Sequence, residues 1–162
     1  MSESMAQVTF RKFCEHFALE LYHEHIFLPT RQALERVMHE YDRLGFTGAV
    51  GSIDVTHIKR DCCPCSFARA YTGKERFATI AYQATVHHSG RALAVTKGFS
   101  GATNDKSIIR YDVAVQTVGE DPTYCDRTFR LFNEDGIWME HKEVYLLVDN
   151  GYHEVRTPRP WF

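Results

Sequence analysis

Two short apolar runs in this chain each end on an aspartate, and they constrain its fold more than any other feature. Ala49-Val50-Gly51-Ser52-Ile53-Asp54 is partly β-branched, and Val144-Tyr145-Leu146-Leu147-Val148-Asp149 is continuously apolar up to its last residue. Both have the length of a strand, and an apolar run without polar alternation is the pattern of a strand covered on both faces. The sequence therefore predicts two central buried strands whose closing carboxylates, Asp54 and Asp149, point into one pocket if the strands are neighbours.

The remaining chain supplies the other layers. Val8, Phe10, Phe13, Phe17, Leu21 and Tyr22 recur mostly at spacings of three and four, which predicts a helix over residues 5–26 that Pro29 ends. A second helix is expected from an N-cap at Thr30 through Leu34, Val37, Met38 and Tyr41 to a stop near Gly45. After the first strand comes a loop rich in Cys, Pro, Arg and Gly, then strands over 77–86 and 91–99 joined at Ser89-Gly90. Thr103-Asn104-Asp105 offers caps for a helix lined by Ile108, Ile109, Tyr111, Val113 and Val115, which Asp121-Pro122 closes. A small hairpin over 128–132 and 137–140 turns at Asp135-Gly136. Three strands, a helix and a further strand after two helices make an α/β chain of α+β type with a mixed sheet, in the order of an RNase H-like nuclease core. The expected division is a helical region over 1–47 and a nuclease-type domain over 48–162.

At 162 residues the chain is long enough for one real core, and its net charge of -2 does not by itself call for a nucleic-acid partner. No stretch approaches the roughly 18 apolar residues that a membrane helix needs, so no membrane partner is expected. The odd number of cysteines, five, with Cys62, Cys63 and Cys65 crowded together, predicts reduced thiols rather than a disulfide framework. With His57, His87 and His88 these cysteines contain the donors of a zinc site, but no second cysteine pair follows Cys62-Cys63-Pro64-Cys65 at a finger-like interval, and a loop of reduced cysteines is the better expectation.

Two carboxylates at the ends of buried strands need a partner, because burying an unpaired charge costs several kcal/mol on a rough scale. Magnesium or manganese would serve, and a pair of such ions activates an attacking oxygen and stabilises a leaving one at phosphorus. Turn capping or pairing with arginines is the alternative for both residues. Lys59, Arg60, Arg69, Lys74 and Arg76, interleaved with Phe67, Tyr71 and Phe77, make a basic and aromatic connection suited to a phosphate backbone and stacked bases; the alternative is a solvated loop. His57, close behind Asp54, fits either phosphate orientation or a loop hydrogen bond. The acidic second helix, with Glu35, Glu40 and Asp42, favours support of the core over a helix-turn-helix for the N-terminal region.

Three segments in order, Gly51-Ser52-Ile53-Asp54-Val55-Thr56-His57, then Gly98-Phe99-Ser100-Gly101-Ala102-Thr103-Asn104-Asp105-Lys106, then Leu146-Leu147-Val148-Asp149-Asn150-Gly151-Tyr152, resemble Harbinger-type transposases and related DDE superfamily endonucleases. Tyr71-Thr72-Gly73-Lys74-Glu75 and Thr79-Ile80-Ala81-Tyr82-Gln83 are similar to the same family, so the resemblance covers residues 48–152. It implies a nuclear, divalent-metal-dependent DNA nuclease that cuts and rejoins transposon ends, as an oligomer or with an accessory DNA-binding protein. Asp54 matches the first carboxylate of the triad and Asp149 the second, while Asp105 is either a further ligand or a helix cap. The family's last ligand is a glutamate on a helix beyond the Asp-x-Gly-Tyr motif. Glu154 lies too close to Asp149 to match it, so the C-terminal part of the fold and the final glutamate are expected to be missing from these residues. The rival expectation is a catalytically dead DNA-binding or protein-interaction module of the same fold.

Overall fold

The computed structural model describes residues 3–149. Helix α1 (Glu3–His16) continues through a π-helical turn, Phe17–Leu21, into α2 (Tyr22–His25). The periodicity of this segment does make a helix, but the apolar residues of α1 stay in solvent, with Phe10 at 69% and Phe13 at 60% exposure, while Leu21 and Tyr22 at its end are half-buried. Support of the core falls instead to α3 (Arg31–Arg43), which starts after Thr30 as expected and buries Leu34 and Tyr41. Gly45, at φ 87, takes the left-handed turn that ends this region, a conformation open to glycine at little cost.

Strands β1 (Ala49–Lys59), β2 (Thr79–Val86), β3 (Ala92–Val95), β4 (Phe99–Ser100) and β7 (Tyr145–Leu147) form one sheet, while β5 (Thr128–Phe132) and β6 (Trp138–Lys142) form a separate hairpin. The sheet order is β3-β2-β1-β7, with β4 also on β2. β7 runs parallel to β1, and β2 is antiparallel to β1, β3 and β4. The fold is thus α+β with a mixed sheet.

Helix α4 (Cys65–Tyr71) lies in the β1–β2 connection; α5 (Asp105–Ile108), a 3-10 turn (Ile109–Tyr111), α6 (Val113–Glu120) and α7 (Pro122–Cys125) follow β4. Ile53 and Val55 of β1 and Ala81 of β2 pack with Ile108, Ile109 and Val115. A second cluster joins Leu34 of α3 to Val50, Val118, Tyr124 and Val144. Between these layers Gln83 donates its amide to the buried Asp112 carboxylate, whose other oxygen accepts the Ala114 N–H at 2.7 Å. This cap starts α6 and splits the single helix that the apolar spacing predicts. Asp121-Pro122 closes α6 as expected, Asp121 being its C-cap, and also opens α7: Asp121 Oδ1 accepts the Thr123 N–H at 2.8 Å, and Pro122 occupies the first turn, where no N–H is needed.

Three further expectations change. The Cys-rich loop contains α4, a helix too short to show a period in sequence. The predicted strand over 91–99 is two strands, interrupted where the Thr96 N–H turns to Gln83 O at 2.9 Å. Both aspartate-ended strands differ from doubly buried ones: β1 continues five residues beyond Asp54, and β7 is short, half-buried and at the edge of the sheet among the described residues.

Candidate active site

From Ile53 onward β1 alternates, with Ile53 and Val55 buried and Asp54 and Thr56 exposed. A strand sends successive side chains to opposite faces, so Asp54 lies on the face away from α5. Its Oδ1 accepts the Val55 N–H at 2.8 Å, and across β2 it faces Ala84. The parallel pairing of β1 with β7 ends at Ser52↔Leu147, and Asp54 and Asp149 each lie two residues beyond that pair. Both carboxylates are exposed. Burial cost is therefore not what asks for a counter-ion, since water already solvates the charges. Carboxylate oxygens are the kind of donor that a hard divalent cation takes.

Asp105 is held elsewhere. Asn104, not Asp105, caps α5, its Oδ1 accepting the Lys106 N–H at 2.9 Å. Asp105 is the first residue of that helix and pairs with Lys74 at 3.2 Å. Because Ile108 of α5 packs on the face of Ile53 and Val55, Asp105 is not brought to the face that carries Asp54. Among the described residues no cluster of three potential metal ligands includes any of the three aspartates.

His57 and the glycine-containing segments form a packed junction at the far end of β1. His57 Nδ1 lies 3.0 Å from Thr79 Oγ1, and the Gly101 N–H donates to Thr79 O at 2.9 Å. A Cβ at Gly101 would fall 2.0 Å from Thr79 Oγ1, and one at Gly73 would fall 2.2 Å from Gly101 O. Two loops distant in sequence thus touch backbone to backbone, which only residues without side chains permit. The sequence carries the signal, a glycine in each loop, but nothing in it says that these glycines meet.

The five basic residues lie on the end of β1, α4 and the approach to β2. Lys59 pairs with Asp61 at 2.6 Å, and that contact raises its pKa. Arg60 stacks over Tyr71 at 4.3 Å, and Lys74 is taken by Asp105. Arg69 and Arg76 are exposed and make no ion pair among the described residues, and Phe67 and Phe77 are exposed beside them in sequence. Cys62 and Cys65 are exposed and Cys63 half-buried, and none joins His57, His87 or His88 in a ligand cluster among the described residues. Asn150, Gly151, Tyr152 and Glu154 lie outside the described residues.

A family model described as plant transposon protein matches residues 23–124, a span that includes Asp54 and Asp105 and stops short of Asp149. No curated protein and no solved structure matches the chain.

Proposed function

Because this chain belongs to the plant transposon protein family and is transposon-derived, we propose that it is a Harbinger-type DDE nuclease domain acting on DNA phosphodiester bonds. The observation that carries this reading is the position of Asp54 and Asp149, each two residues beyond the last pair of adjacent parallel strands. The sheet order β3-β2-β1-β7, with only β7 parallel to β1, supports an RNase H-like core. Asp54 and Asp149 would hold magnesium or manganese, which supplies electrostatic stabilisation of the charge that builds at phosphorus. Arg69 and Arg76 bind the phosphate backbone, Phe67 and Phe77 offer faces for unstacked bases, and Lys59, Arg60 and Lys74 add positive charge around them. DNA as substrate, the ends of a transposon, puts the site of action in the nucleus.

Titration calorimetry with Mn2+ tests the assignment. Binding that both Asp54→Asn and Asp149→Asn remove is expected, and binding indifferent to both substitutions overturns it. A second reading, a non-catalytic DNA-binding or interaction module, is favoured by the lack of a three-ligand cluster around Asp54 among the described residues. It predicts DNA binding that is salt-dependent, weakened by Arg69→Ala and Arg76→Ala, and independent of Mn2+.

A further inference from the structure

β2 ends at Val86, and the chain then turns through Ser89 and Gly90, the latter at φ 84. Adjacent residues inside a strand face opposite sides, but past the strand end both imidazoles of His87 and His88 fall on one side, with ring centroids 4.1 Å apart. Glu40, on α3, reaches them. His87 Nε2 lies 3.0 Å from His88 Nδ1 and 3.2 Å from Glu40 Oε2, and His88 Nδ1 lies 3.5 Å from the same oxygen.

Three donor atoms at these separations form a nearly equilateral triangle. A tetrahedral zinc ion with bonds of about 2.0–2.1 Å needs ligand atoms about 3.3–3.4 Å apart, and the three edges bracket that value. Hydrogen bonds satisfy the triangle less well, because each ring nitrogen carries at most one proton in a fixed direction and cannot aim it at two neighbours. A cation at the centre meets all three lone pairs together.

The surroundings can accommodate the form a metal requires. His87 Nδ1 lies 2.9 Å from Ser89 Oγ and 3.4 Å from the Ser89 N; with its proton given to the hydroxyl, the stronger of the two contacts, Nε2 keeps a lone pair for a metal. Tyr41, 1% exposed, stands edge-on to both imidazoles at 5.8 and 5.7 Å and closes the inner wall.

We propose that Glu40, His87 and His88 form a zinc site that clips α3 to the β2–β3 turn, with a fourth position open to water or an exogenous ligand. Two imidazoles and one carboxylate select zinc over magnesium or calcium, so this site differs in metal class from the oxygen-donor site of Asp54 and Asp149. Since only the folded chain brings the three ligands together, zinc stabilises the packing of α3 on the sheet.

The test is titration of the chelator-stripped full chain with Co2+ and Zn2+. One Co2+ per chain with the visible spectrum of a tetrahedral nitrogen and oxygen site, displaced by Zn2+, is expected. His88→Ala and Glu40→Gln, both at partly exposed side chains and therefore expected to fold, should weaken binding about a hundred-fold, and Ser89→Ala about ten-fold. Zn2+ should raise the melting temperature of the wild type and of Asp54→Asn equally. Absence of binding, binding that survives both His88→Ala and Glu40→Gln, or binding lost on replacing Cys62, Cys63 and Cys65 by serine overturns the proposal. Because Asp54→Asn leaves this readout unchanged, its result is separate from that of the nuclease reading.

Discussion

Lys74 Nζ and Asp105 Oδ2, 31 positions apart in the chain, meet at 3.2 Å and tie the β1–β2 connection to the start of α5. The pair is partly exposed, and such pairs contribute about 1 kcal/mol or less. Asp105→Asn should therefore lower stability by no more than about 1 kcal/mol in urea denaturation and leave Mn2+ binding as in the wild type. Loss of Mn2+ binding in that variant would make Asp105 a ligand after all.

The contact of Gly73 with Gly101 predicts a larger effect without any change of charge. An added methyl at either position meets backbone or Thr79 within 2.2 Å, so the loops must separate. Gly101→Ala should cost about 1–3 kcal/mol, and Gly73→Ala a similar amount. Denaturant midpoints measure this directly, and wild-type stability in both variants would contradict the packing described.

Tyr124 makes stability depend on alkaline pH. Its hydroxyl donates to Pro29 O at 2.8 Å, and burial, helped by the Asp121 charge, pushes its pKa up to about 12. Between its ordinary value near 10 and that value the unfolded chain loses a proton that the folded chain keeps. The stabilisation is thus complete below about pH 10 and lost as pH rises toward 12; burial at Tyr145 acts in the same direction. Tyr124→Phe should cost about 1–2 kcal/mol at neutral pH and flatten the alkaline fall. Urea denaturation at about pH 8 and about pH 11 compares the two, and an equally steep fall in the variant would rule out Tyr124 as its source.

Local physics was legible in the chain before its structure. Thr30 before α3, the glycine turns at Gly45, Gly90 and Gly136, the strand character of β1, β2 and β7 and the hairpin of β5 with β6 all follow from backbone preference and spacing, which act over a few residues. The same spacing marked α1 as amphipathic yet could not say whether its apolar face would be covered, and it is not. Placement depends on which distant segments share free energy by packing, and no short-range pattern encodes that. Only the tertiary structure put Asp54 on an exposed face beside the end of β7, gave Asp105 to Lys74, set Asp112 under Gln83 and brought Glu40 to the two histidines of a turn.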